Sequence, residues 1–229
     1  MKVLYEKYGH ALPVTIYGII YMLCFGILEN RGNVRYMIIH MNIDDYIPFC
    51  EVFIVPYLLW FLYIPAVLLY LFFKDREGYW KYALTLCIGM TVFIMVSALI
   101  PNAHHLRLRQ FPRENIFTQL IAVLWKTDTP TNLFPSIHTY NSLAAHFAVM
   151  HQKKLSKIKC IRYGSFALCL SIICSTVFLK QHSMFDVITA FILAAGAYAM
   201  VYSYDIIAVR KRNARLRAYR KNGKRARLG

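Results

Sequence analysis

Charge is scarce in this chain. Only 17% of its 229 residues are Asp, Glu, Lys or Arg, and acidic residues are the rarer sign, 11 against 27 basic ones. A chain that is 58% hydrophobic and 15% aromatic has too little polar surface to cover a water-soluble domain of ordinary shape, which excludes that class. Internal repeats are lacking, and so is low complexity outside the basic end. The six cysteines, Cys24, Cys50, Cys87, Cys160, Cys169 and Cys174, fall mostly inside apolar runs and show no paired metal-ligand spacing. Free thiols are expected, with no disulfide framework.

What the sequence has in abundance is apolar runs of membrane-spanning length. Six spans are predicted: Ala11 to Leu28, Phe49 to Phe73, Tyr82 to Pro101, Ser136 to Met150, Tyr163 to Leu179 and Asp186 to Val209. The fold expected is all-α, a six-transmembrane helical bundle forming a single domain over 1–209, followed by a basic cytoplasmic tail over 210–229. The fourth span is the weakest by hydropathy, since it carries His138, Asn141, Ser142 and His146. Charge supports keeping it: with six spans and a cytoplasmic amino terminus, twenty of the 27 Lys and Arg fall inside and seven outside. Dropping it would put the ten-charge tail outside. Lys2 and Lys7 precede the first span, but Glu29-Asn30-Arg31 after it lacks the small residues of a cleavage site, so an uncleaved span is expected. Pro56 and Pro65 are expected to kink the second span.

The net charge of +16 comes largely from the tail. Directly after a span, such a run fixes orientation and touches anionic lipid head groups, at about 1 kcal/mol per basic residue. Nucleic acid is not an expected partner; the bilayer is. The connection from Asn102 to Pro135 is long and polar for this chain. Within it, Glu114 to Lys126 carries Ile116, Phe117, Leu120, Ile121 and Leu124 at helical spacing, predicting an amphipathic helix that lies at the interface or caps the bundle.

Two polar stretches sit at the ends of apolar runs, Pro135-Ser136-Ile137-His138 and Ser175 through His182 to Asp186, and the six-span layout puts both on the outer side. Ionisable groups at membrane depth cost about 2.5–3.5 kcal/mol each, so their convergence points to chemistry. His182 and Asp186 are four apart, which on a helix places them one turn apart on one face. A carboxylate there fixes the imidazole's tautomer and makes its other nitrogen a better nucleophile or base. His138 opens the fourth span, where a helix amino terminus offers free N–H groups to an anion. Arg107, Arg109, Arg113 and Lys180 add cations, completing an inventory suited to phosphate. Ser142 and His146, one and two turns below His138, are read as bundle interior. His104 and His105 are read as a solvated loop, and Glu51 and Asp205 receive no role.

The motifs resemble those of the type 2 phosphatidic acid phosphatase superfamily. Pro135-Ser136-Ile137-His138 matches its P-S-x-H motif, and Ser175, His182 and Asp186 match the spacing of S-R-x5-H-x3-D. Leu106-Arg107-Leu108 is similar to the end of K-x6-R-P. Three positions depart: Ile100 stands where the family has Lys, Leu108 where it has Pro, and Thr176 where it has Arg. Lys180, with Arg109 or Arg113, is the candidate replacement for the missing cations.

The resemblance implies catalytic His138, His182 and Asp186, and phosphate binding by Arg107, Ser136 and Lys180. His182 attacks phosphorus, Asp186 supports it, and His138 protonates the leaving alcohol and then activates water. It implies no metal and no cofactor, in keeping with the lack of a carboxylate cluster for Mg²⁺. The expected protein is a multi-pass cell-membrane lipid phosphate phosphatase with both termini cytoplasmic and its site extracytoplasmic. Two alternatives stand beside it. Relatives such as inositol phosphorylceramide and sphingomyelin synthases pass the phospho-head group to an alcohol, and a catalytically lapsed lipid-binding protein would keep the fold without the reaction.

Overall fold

The computed structural model of the chain describes residues 9–32 and 34–203. In chain order the helices are α1 (Leu12–Glu29), the short α2 (Asn42–Tyr46), α3 (Ile54–Lys74), α4 (Arg76–Leu99), α5 (Ile116–Thr127), α6 (Ile137–His151), α7 (Lys159–Phe178) and α8 (Met184–Ser203). Two-residue strands β1 (Met37–Ile38) and β2 (Asn102–Ala103) pair in parallel and tie the α1–α2 and α4–α5 connections together. The last predicted span was drawn to Val209; its end, Asp205 and the basic tail lie outside the described residues.

Five helical stretches among the described residues are long and apolar enough to cross a membrane: Gly9–Glu29, Glu51–Lys74, Arg76–Leu99, Lys159–Phe178 and Met184–Ser203. The predicted fourth span is present as α6, a helix of 15 residues, which at 1.5 Å per residue is shorter than a hydrocarbon core of about 30 Å. It packs on α3, α4 and α7. Tyr140, Asn141, Ser142, Ala144, Ala145, Ala148 and Val149 are all buried. A helix sheathed by protein need not be greasy, so its weak hydropathy follows from its central position.

Around α6 the core is continuous. Tyr63, Val67 and Leu71 of α3, Tyr82 and Leu86 of α4, and Ile172 of α7 close over Ala144, Ala145 and Ala148. On another side Ala190, Ala194 and Ala197 of α8 form a small-residue face that lets α8 approach Tyr140. Gly89 of α4 serves the same end, since a Cβ there would lie 2.0 Å from Cε1 of Tyr140. By contrast α1 buries only Leu28, and its Ile19, Ile20, Met22, Leu23 and Ile27 are more than half exposed.

Prolines and caps set the ends. Pro65 lies inside α3, while Pro56 falls in its first turn, where a missing N–H costs no helical bond. The third predicted span begins six residues early because Asp75 caps it, accepting from the Gly78 N–H at 2.9 Å. The amphipathic helix predicted over Glu114 to Lys126 is α5. Asn115 and Thr118 form a reciprocal cap at its start, and Ile121 is buried against Ile54, Tyr57 and Leu179 while Ile116 and Val123 face outward.

Candidate active site

The turn between α7 and α8 carries His182. At the end of α7 the Lys180 N–H bonds to Val177 O at 3.1 Å and the Gln181 N–H to Thr176 O at 2.9 Å, a Schellman motif. The residue that must be left-handed is Lys180, at φ 55, where a side chain costs about 1–2 kcal/mol relative to glycine. Three residues later Ser183 caps α8. Its Oγ accepts from the Phe185 N–H at 3.2 Å, and Asp186 Oδ2 accepts from the Ser183 N–H at 3.0 Å. The same Oδ2 lies 3.3 Å from His182 Nδ1. A carboxylate here can only accept, so Nδ1 carries the proton and Nε2 is left with its lone pair. Asp186 therefore does two jobs, closing the helix start and fixing the imidazole.

His138 arrives from α6. Ser136 is the cap, accepting from the Thr139 N–H at 3.3 Å, and its own N–H donates to Asp186 O at 3.2 Å. The His138 ring lies between aromatic neighbours on α3, with centroids 4.6 Å from Tyr57 and 4.5 Å from Trp60. Its centroid is 5.8 Å from that of His182. His138 Nε2 and Asp186 Oδ1 are buried without a hydrogen-bond partner among the described residues.

Both imidazoles line a cavity of about 360 Å³. Its wall includes Tyr57, Trp60 and Phe61 of α3, Tyr21, Met22 and Phe25 of α1, and the polar residues Thr127, Asp128, Thr131 and Asn132. Asp128 Oδ2 accepts from the Tyr57 hydroxyl at 3.0 Å. Burial raises the Asp128 pKa above its ordinary value, while the Tyr57 bond and nearby His182 and Arg107 pull it back. None of the described residues lining this cavity is Lys or Arg.

Arg107 stands behind that wall. Its guanidinium donates to Trp125 O at 3.0 Å, to Asp128 O at 2.6 Å and to Gln181 Oε1 at 2.6 Å, leaving Nε buried and without a hydrogen-bond partner among the described residues. It thus holds the residue before His182 and the loop carrying Asp128. His104, read from sequence as solvated, is buried instead, only 2% exposed. Its Nδ1 accepts from the Leu106 N–H at 3.1 Å, so Nε2 is the protonated nitrogen and donates to Gln181 O at 2.9 Å. Burial pushes its pKa down to about 4.

Other sequence candidates lie away from the imidazoles. The Lys180 ammonium donates to Asp44 O at 2.7 Å and Ile47 O at 2.5 Å, and the residue lines a second cavity with Asp44, Asp45 and His40. Arg113 pairs at 3.4 Å with Glu51, which is buried and also accepts from Asn115; Arg109 and His105 are exposed. Ser142 donates to His138 O at 2.7 Å, and His146 contacts Ser165 Oγ at 2.9 Å, both within the bundle. Asp128, Tyr57, Trp60 and Gln181 were not among the candidates. The Thr-Asp-Thr-Pro-Thr-Asn run before Pro135 is a dense loop signal that could have drawn attention to Asp128.

Residues 112–208 match the family model of the PAP2 superfamily, a stretch that contains His138, His182 and Asp186 but not Arg107. No curated protein and no solved structure matches the chain.

Proposed function

We propose that the chain is an integral membrane phosphatase of the PAP2 superfamily that removes phosphate from a lipid phosphate or diphosphate, with its site facing away from the cytosol. The observation that carries this reading is the pairing of the His138 and His182 rings, 5.8 Å apart, with Asp186 behind His182. The matched family supports phosphoryl chemistry on phosphate esters.

In this reading His182 Nε2 attacks phosphorus while the bond to the lipid oxygen breaks, and His138 gives its proton to that oxygen. The P–N bond so formed is a phosphohistidine, with Asp186 stabilising the cationic ring through Nδ1–H. His138, now a base, takes a proton from water, whose oxygen attacks phosphorus and releases His182 and inorganic phosphate. The phosphoryl oxygens in this reading are met by the first-turn N–H groups of α6 at Ile137 and His138, which an α-helix leaves without intrahelical acceptors, and the Ser136 cap at that helix start supports it. Arg107 acts from behind, through Gln181 and Asp128. A lipid substrate is supported by the cavity's far wall: Met22 is 64% exposed on α1, so an acyl tail can leave between α1 and α3 into the bilayer. The charge distribution supports cytoplasmic termini and an outer site.

A second reading, transfer of the phospho-head group to an alcohol, is favoured by Asp128, a hydrogen-bond acceptor in the cavity wall suited to an incoming hydroxyl. Phosphate release from a panel of lipid phosphates by the purified protein tests both, run with and without an alcohol lipid. His138→Ala and His182→Ala are expected to lower release by about 10²–10⁴-fold. Wild-type turnover in either variant would remove the assignment. A wild-type protein that neither releases phosphate nor binds orthovanadate is a lipid-binding protein without catalysis.

A further inference from the structure

We infer that Asp44 is a positioning residue for the His182–Asp186 turn, and that Lys180 ties the two together. Asp44 lies in α2, in the outer loop between α1 and α3, outside every motif recognised in the sequence. It is 2% exposed. Its Oδ1 accepts from the Met184 N–H at 2.8 Å, and its Oδ2 accepts from the Ser183 hydroxyl at 2.5 Å and the Met41 N–H at 2.8 Å. The carboxylate thus sits on the first N–H of α8, where helix polarity favours a negative charge. It also sets the Ser183 hydroxyl so that the lone pair faces Phe185 and completes the cap.

Lys180 explains itself in the same terms. A left-handed helix end normally takes glycine, yet the residue here is a lysine whose side chain reaches back to the Asp44 and Ile47 carbonyls. Conformational ease is given up for a contact. The turn is then held on one side by Asp44 and Lys180, and on the other by the Ser136 N–H on Asp186 O. His182 lies between these anchors, directly before Ser183. Asp44 touches neither imidazole, so it acts by keeping Nε2 in line with the phosphorus. That last step rests on the phosphatase reading above; the mechanical coupling of Asp44 to His182 does not.

The test combines kinetics with a measurement that needs no substrate. Asp44→Asn puts an NH2 group against N–H or O–H donors on at least one side, Ser183→Ala removes one donor, and Lys180→Gly frees the backbone while deleting the tie. In histidine-labelled protein in detergent, with His182 assigned from His182→Gln, the ring ¹⁵N resonances of His182 are expected to shift and broaden in each variant. With a lipid phosphate substrate, kcat is expected to fall about 10–100-fold while KM stays within about twofold. Unchanged His182 resonances, a loss confined to KM, or full activity in Lys180→Gly would each overturn the inference. Should Asp44→Asn fail to fold, the other two variants decide it. If the wild-type protein releases no phosphate, the phosphatase reading fails and the resonances alone judge the clamp.

Discussion

The backbone N–H of Ser136 donates to the carbonyl oxygen of Asp186 at 3.2 Å. One main-chain bond therefore joins the start of α6 to the first turn of α8, and with it the two segments that carry His138 and His182. Because α6 is wrapped by α3, α4 and α7, this junction is fixed from the bundle interior. Small errors there pass directly to the spacing of the imidazoles.

Arg107 supplies the first prediction. Two guanidinium nitrogens serve three acceptors on two segments, Trp125 and Asp128 at the end of α5 and Gln181 before His182, which a lysine's single ammonium cannot reproduce in the same plane. Arg107→Lys is expected to cost about 1–3 kcal/mol of stability and to slow phosphate release at least about tenfold. Thermal unfolding in detergent and turnover on a lipid phosphate check both; a variant equal to wild type in the two assays shows the fork to be dispensable.

Asp128 puts a carboxylate, its Oδ2 held by Tyr57, in a cavity wall that lacks Lys and Arg among its described residues. A dianion bound there meets a charge of its own sign. Asp128→Asn keeps an acceptor for Tyr57 while removing that charge, so orthovanadate is expected to bind about threefold to tenfold more tightly. Inhibition titrations decide it, and weaker binding would show that the carboxyl holds the ligand as a protonated donor.

His104 gives a pH dependence. In the fold its imidazole stays neutral down to about pH 4, held there by burial, while an unfolded histidine takes up a proton near 6.5. Between those values the unfolded state binds more protons, so stability falls as pH is lowered through this window. The loss traced to His104 is on the order of 2 kcal/mol by pH 5. His104→Gln keeps one donor and one acceptor without a titrating ring. Unfolding at pH 7 and pH 5 should therefore show a smaller drop in the variant, and equal drops would place the titration elsewhere.

Gly89 tests the packing. A Cβ would stand 2.0 Å from the Tyr140 ring, which is fully buried and anchored by its hydroxyl to Thr85 O at 2.6 Å. The ring cannot swing aside, so Gly89→Ala is expected to destabilise by about 1–3 kcal/mol or more as α4 and α6 separate. Retention of the wild-type unfolding temperature would mean the helices are not this close.

His182 and Asp186 were legible as a pair because they are only four residues apart, although His182 stands in the turn before Ser183, the cap of α8, and reaches Asp186 across that cap rather than along a helix face. The Ser136 cap and α5 were legible for the same reason, since caps and amphipathic periods are written within a dozen residues. Lys180 was not. Sequence proximity to His182 suggested a phosphate ligand, but the left-handed turn sends its side chain to Asp44 and Ile47. Asp44 itself carried no signal, because Lys180, Ser183 and Met184 lie on the far side of five helices in the chain.

By itself the sequence determined that the chain is helical, with apolar stretches of membrane-spanning length and a two-histidine, one-carboxylate inventory, because hydropathy and residue spacing act over short stretches. Only the tertiary structure decided that α6 is a short, sheathed helix, that the two imidazoles share one cavity, that Asp128 lies in its wall, and that His104 is buried. Each of these depends on which segments meet in space, and that is set by the burial of whole helix faces against one another.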